Sequence, residues 1–317
     1  MGMKALQLIL QRLFMLVLVL LVVTVLTFGI VNVLPGDVAN AMLGDLATPA
    51  QAAALRQQLG LNLPLLTRYE EWMGGLLHGN LGNSLQFGMP IGPMLLGRLG
   101  NSAILGGITL AIAVPLAVLL GVVAGVRQGK LIDRVISVFA IVGFSLPEYV
   151  VGLLLILVFS IWLPILPGSS LMDPSANPLS HPAALVLPVT VLVIGMQAYL
   201  SQITRAGMIN AMQSAYIRTA ILKGLPPWVV VLKHALPNVL LPTLSEIGMN
   251  FGYVLGGIVI VETLFSYAGL GQMMVNAVDH RDIPVVEASV LIVAVAYGVG
   301  NLLADVASIL LSPRLRT

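Results

Sequence analysis

The chain has no cysteine. That excludes a disulfide framework, a thiol nucleophile and any cysteine-based metal site. Charge is also scarce. Asp, Glu, Lys and Arg make up 9% of the residues, where an ordinary soluble domain carries about 25%. A P-loop is missing. The nearest string, AGVRQGKL at residues 124–131, lacks the first glycine and the closing Ser or Thr that cradle phosphate and Mg²⁺. His78, His181, His234 and His280 stand alone, with no partner four residues away to share a metal. No Ser-x-x-Lys, His-Glu-x-x-His or Gly-x-Ser-x-Gly string occurs, so the signatures of a membrane-embedded protease or acyltransferase are lacking.

What the chain does have is apolar sequence. Hydrophobic residues are 58% of 317, and the mean hydropathy is +1.01. Runs near 20 residues are long enough to cross a bilayer as helices. Six spans are expected, at residues 13–34, 104–126, 135–163, 183–204, 239–261 and 285–311. The first apolar run exceeds the ~7–15 residues of a signal-peptide core and no small-residue cleavage site follows, so it reads as a retained span. The expected class is an all-α polytopic membrane protein.

The basic residues sort by side. Lys4, Arg12, Arg127, Lys130, Arg134, Arg205, Arg218, Lys223, Lys233, Arg314 and Arg316 fall on one face of the six-span scheme. Arg56, Arg68, Arg98 and Arg281 fall on the other. Eleven against four places both termini in the cytoplasm. The net charge of +2 therefore reflects topology and does not point to nucleic acid.

Residues 32–97 are too long for a simple connector on the outer side. Thr48-Pro49-Ala50-Gln51 reads as a capping box with proline at the first helical position. Ala52, Leu55 and Leu59 then share a face, and Gly60 ends the helix. Leu65, Leu66, Tyr69, Trp72, Met73 and Leu76 mark a second amphipathic helix. Such helices either cap the span mouths at the interface or form an external platform over a translocation path.

The most informative stretch is residues 216–242, YIRTAILKGLPPWVVVLKHALPNVLLP. It is basic and lies between two spans on the cytoplasmic side. It is either a loop that merely fixes orientation or a docking element. A helix is expected up to Lys223, because Pro226 forces Leu225 into extended geometry. Pro227 suits the first turn of a second helix over residues 228–235, and Pro237 punctuates again before the next span. Ala220 and Gly224, four apart, share a face that lets another backbone approach. Gly224 alternatively is a C-terminal helix cap beside Lys223.

TAILKG, followed after nine residues by HALPN, resembles the EAA loop of ABC importer permeases. Thr219-Ala220 replaces the Glu-Ala start, Gly224 holds its place, and His234, Ala235, Leu236 and Pro237 lie near the expected end. Tyr216, Arg218 and the Lys223-Gly224 pair are typical of the dipeptide/oligopeptide branch. Pro226 and Pro227 depart from the usual, more polar residues. Leu34-Pro35-Gly36-Asp37, TPAQAAALRQQLGLNLPLLTRY and HGNLGNS are similar to the N-terminal half of peptide permeases. ETLFSYAGLG at residues 262–271 and Arg281-Asp282 with Pro284 are similar to the last external loop.

The resemblance implies a type I ABC importer permease fold with an external helical insertion after the first span. Residues 1–98 would hold the first span and that insertion. Residues 99–317 would form the core, with a coupling loop at about 205–238. It also implies partners: a second homologous permease, two ATP-binding subunits carrying Mg-ATP, and an extracytoplasmic solute-binding protein. The setting would be a bacterial plasma membrane. This chain would need no cofactor of its own and would not itself be an enzyme. The cargo would be di- or oligopeptides, with glutathione or nickel as alternatives.

Carboxylates inside spans are costly and face protein or water. Glu148 and Glu246 are candidates either for lining a pathway or for interhelical hydrogen bonding. Pro147 opens backbone carbonyls near Glu148, which favours a hydrated cavity. An ion-driven secondary transporter using these two as proton relays would instead show inverted repeats with broken helices, and no internal repeat is evident. Glu262 belongs to the external-loop motif and reads as structural. Gly248, Gly252 and Gly256 repeat every four residues and read as a close helix-crossing stripe.

Overall fold

The computed structural model describes residues 3–33, 48–58, 60–171, 176–240, 243 and 251–311. The elements are helical: α1 (Met3–Val33), α2 (Pro49–Gln58), α3 (Leu65–Leu77), α4 (Ile91–Val126), α5 (Leu131–Ser145), α6 (Glu148–Ile156), α7 (Pro182–Met212), α8 (Ala215–Leu222), α9 (Pro227–Val229), α10 (Phe251–Leu264), α11 (Leu270–Asp279) and α12 (Ile283–Leu311). No strand occurs among the described residues. An isolated bridge between Asn83 and Pro90 pins one loop.

Among those residues, four helices are long and apolar enough to cross a membrane: Leu10–Asn32, Ile91–Val126, Pro182–Met212 and Ile283–Leu303. They coincide with the first, second, fourth and sixth expected spans. The expected third span, 135–163, is not straight. It bends by 102° between α5 and Glu148–Trp162. The cause is local: Pro147 forces Leu146 into extended backbone at φ −87°, ψ 128°. Of the expected fifth span, α10 forms the second half, while residues 241–242 and 244–250 lie outside the described residues.

Helix α4 begins 13 residues before its expected start and runs unbroken through residue 98. Its first turns are held by packing. Ile91 and Leu95 are fully buried with Leu270, Met273, Val285 and Ala288 of α11 and α12. Burying such side chains is worth about 1.5–3 kcal/mol each.

Helix α4 crosses closely on α7. A Cβ on Gly121 would lie 2.5 Å from Thr204 Cβ and 2.7 Å from the Ser201 carbonyl. One on Gly125 would lie 2.5 Å from Met208 Cβ. These two glycines, four apart, let the backbones touch. Of the stripe expected at residues 248–256, one glycine has described surroundings. Gly256 faces open space, and Gly248 lies outside the described residues. Gly125→Leu should therefore lower the thermal stability of the purified chain by the cost of overpacking, about 1–3 kcal/mol or more, while Gly256→Leu leaves it unchanged. A melting series in detergent reads both.

Helices α2 and α3 form as their sequence dictates. Thr48 N–H and Oγ1 both donate to Gln51 Oε1 at 2.9 Å, and Gln51 N–H returns a bond to Thr48 Oγ1 at 3.3 Å, completing the capping box. Gly60 turns at φ +66°. Helix α3 then rests on the first span. Phe28 meets Tyr69 edge-on at 5.3 Å and Trp72 at 5.7 Å, and the Thr24 and Tyr69 hydroxyls lie 3.1 Å apart.

Candidate functional site: the basic loop and its anchorage

The basic loop continues directly from the end of α7. Ser214 precedes α8 in extended geometry. After Lys223 the chain reverses through Gly224 at φ +76°. Gly224 N–H donates to Ile221 O at 2.9 Å and Leu225 N–H to Ala220 O at 3.4 Å. This is the paired closure of a Schellman motif, and only glycine adopts its left-handed residue freely. The cap expected at Gly224 is formed.

Ala220 turns inward. It is buried with Ile217, Val230, Ala235 and Met208 of this chain, so its small side chain admits the chain's own turn at Val230–Ala235. The short helix α9 passes into a wider π-helical turn, Val230–Ala235, and residues 236–240 continue as α-helix. Pro237 therefore does not stop the helix. The missing N–H and the ring are absorbed where the preceding turn is already widened.

The remaining expected loop residues face outward or flank the core. Tyr216, Arg218, Thr219 and Lys223 are exposed and His234 is half-buried. Asn238 Nδ2 donates to His234 O at 2.9 Å and to the Tyr216 hydroxyl at 3.5 Å, tying the two ends of the loop. The largest outward features are ones the pattern did not single out. Leu222 is 87% exposed and Trp228 67% exposed, either side of the Gly224 turn. Their signal was present in the sequence: apolar side chains beside a cap have no room in the small core beneath it.

The loop is braced by an ion pair, also unanticipated. Arg205 on α7 donates Nε to Asp133 Oδ1 at 2.5 Å and Nη2 to Oδ2 at 2.8 Å. Asp133 further accepts Gly129 N–H at 2.9 Å. This bidentate pair locks the start of α5 to the end of α7, just before the loop begins.

At the opposite end of the bundle, three buried carboxylates act as latches. Glu262 accepts Ser102 Oγ at 2.5 Å, Gly271 N–H at 2.7 Å and Gln272 N–H at 3.3 Å. Ser102 in turn accepts Leu270 N–H at 2.8 Å, Asn101 Nδ2 donates to Ala268 O at 2.8 Å, and the Tyr267 hydroxyl donates to Asn101 O at 2.7 Å. The ETLFSYAGLG loop is thereby fastened to α4, as its structural reading expected. Asp282 accepts Ser84 Oγ at 2.5 Å and the N–H groups of Leu85 and Gln86 at 3.0 and 3.2 Å. Glu287 accepts Asn32 Nδ2 at 3.1 Å, and Asn32 Oδ1 accepts Arg68 Nη2 at 2.5 Å. These two join α12 to the N-terminal region.

Glu148 opens α6 at the bend and is half-buried. A Cβ on Gly257 would fall 2.5 Å from its Oε1, so its carboxylate rests against the backbone of α10. Glu246 lies outside the described residues.

The comparisons with known proteins agree with this arrangement. The family model "Binding-protein-dependent transport system inner membrane component" matches residues 114–317, and its N-terminal companion matches residues 5–94. A probable peptide ABC transporter permease of Sinorhizobium fredii is 36% identical over 273 residues, 85% of this chain and 86% of that protein. The oligopeptide transport system permease AppB of Bacillus subtilis is 33% identical, over 82% of this chain and 83% of that one. In fold, an amino acid ABC transporter of solved structure superposes with a TM-score of 0.50 at 21% identity, over 70% of this chain and 94% of that one. The chain belongs to the family of binding-protein-dependent transport system inner membrane components.

Proposed function

We propose that the chain is the permease subunit of an ATP-driven importer of di- or oligopeptides. It forms part of the translocation path with a second, homologous permease. Two separate ATP-binding subunits hydrolyse Mg-ATP, and an extracytoplasmic solute-binding protein delivers cargo. Both termini face the cytoplasm of a bacterial cell, in the plasma membrane. This chain holds no cofactor. Glutathione or nickel are the alternative cargoes, and peptide is favoured by the names of relatives such as AppB.

The observation that carries the reading is the exposed loop. Leu222 and Trp228 stand out from the Gly224 turn among Arg218, Lys223 and Lys233. An apolar knuckle ringed by cations at the end of a long span suits a groove on a soluble subunit. Movement of that subunit would be transmitted through α8 and the Asp133–Arg205 brace into α5 and α7.

The test is reconstitution of this chain with its partner permease, ATPases and binding protein in liposomes. Uptake of a labelled dipeptide should need ATP and survive a protonophore at fixed ATP, also in Glu148→Gln. Leu222→Asp and Trp228→Ala should each weaken ATPase co-purification and lower uptake at least about tenfold, as loss of an interface anchor does. Uptake abolished by the protonophore would favour an ion-driven transporter. Full coupling in both loop variants would place the docking surface elsewhere.

A further inference from the structure

At the end of the bundle opposite the basic loop, the segment 84–90, the first turns of α4, helix α11 and the start of α12 enclose a cavity of about 570 Å³. That size falls within the ~300–1,000 Å³ of small-molecule sites. Its walls are apolar and soft: Phe87, Met89, Pro93, Met94 and Met273. Arg98 supplies the one cationic side chain in the lining. Its Nη1 donates to Gln272 Oε1 at 3.0 Å, and among the described residues its other donors have no hydrogen-bond partner; Glu262 acts on its charge through space without a hydrogen bond. The neighbouring acids are committed elsewhere. Glu262 is held by Ser102, Gly271 and Gln272, and Asp282, also on the wall, is held by Ser84, Leu85 and Gln86.

A guanidinium with unused donors at the wall of an apolar cavity calls for a planar anion with an apolar body. We propose that this cavity binds a carboxylate that carries an apolar group. Methionine walls adapt to apolar groups of different shape. A peptide's C-terminal residue and a medium-chain fatty acid both offer this chemistry. The peptide source rests on the importer reading above; the carboxylate site does not.

The probes are Leu-Leu, its C-terminal amide, and decanoate, titrated by calorimetry against the full-length chain in amphipol. Leu-Leu should bind, and its amide at least about tenfold more weakly, because the charge-assisted bonds are lost. Arg98→Gln should bring Leu-Leu down to the level of its amide, while Arg98→Lys keeps part of the difference. Gly97→Leu should remove binding of every probe. Gly97 lines the cavity and has no atom within 4 Å of where its Cβ would sit, so the leucine fills space without disturbing the helix. Decanoate binding without Leu-Leu binding would assign the site to a membrane-derived carboxylate. Equal binding of acid and amide, an Arg98→Gln variant that binds like the parent, or no binding of any probe would overturn the site. Equal binding of Leu-Leu and its amide by the parent chain, alongside intact dipeptide uptake, overturns the site alone. Failed uptake with intact Leu-Leu binding overturns the importer reading alone.

Discussion

Glu262→Ala should abolish a folded, monodisperse protein. The carboxylate is fully buried and accepts three donors at once, Ser102 Oγ, Gly271 N–H and Gln272 N–H. Alanine leaves two backbone N–H groups at the start of α11 without acceptors, at about 1–3 kcal/mol each, and opens a void beside them. No water-filled space replaces the lost oxygens, because Gly269 and Gly271 press directly on the carboxylate. Glu262→Gln should be milder. It keeps one acceptor oxygen but turns an amide N–H₂ toward groups that donate. Tyr267→Phe, which removes the single bond to Asn101 O, should cost about 1 kcal/mol. Fluorescence-detected size exclusion after a heating series ranks the three. A Glu262→Ala protein that melts with the parent would show that the loop is held by packing alone.

Arg205→Ala should destabilise the protein more than Asp133→Ala does, although both break the same pair. The asymmetry follows from exposure. The Asp133 side chain is 3% exposed and the Arg205 side chain 26%. Removing the arginine strands a buried carboxylate, which typically costs about 3–5 kcal/mol. Removing the aspartate leaves a guanidinium that can turn toward water, so the loss is smaller. Arg205→Met combined with Asp133→Leu should recover much of the stability of Arg205→Ala, since no charge is then left unpaired. Melting temperatures of the three variants decide it. Equal losses in the two alanine variants would mean that the pair is solvated in the membrane-embedded protein. If the loop works as proposed, Asp133→Asn should also lower peptide uptake more than it lowers ATP hydrolysis.

Two glycine stripes with the same spacing show where reading the chain stopped. Gly121 and Gly125 read no differently from Gly248, Gly252 and Gly256. Only the arrangement of α4 against α7 brings Ser201, Thr204 and Met208 within reach of the first pair. Spacing specifies that small residues share a face, and carries no information on which helix that face meets. Ala220 teaches the same lesson. Its place in the loop motif was legible, but its inward direction was not, because the turn at Val230–Ala235 folds back upon it. Pro237 misled for a local reason: a proline ends a regular α-helix, and the widened turn before it depends on how residues 230–235 pack.

The amino-acid sequence by itself determined the membrane class, the positions of four long apolar spans, the capping box at Thr48, the glycine stop at residue 224 and the family. Each rests on local hydrophobicity, capping chemistry or a contiguous motif, which near neighbours in the chain specify. The tertiary structure alone decided the Asp133–Arg205 brace, the carboxylate latches, the outward display of Leu222 and Trp228, and the cavity at Arg98. The partners in the brace are 72 residues apart, and those in the Asp282 latch 198. Pairings at that separation form only when helix packing brings them together, and no local pattern encodes which partner a charge will meet.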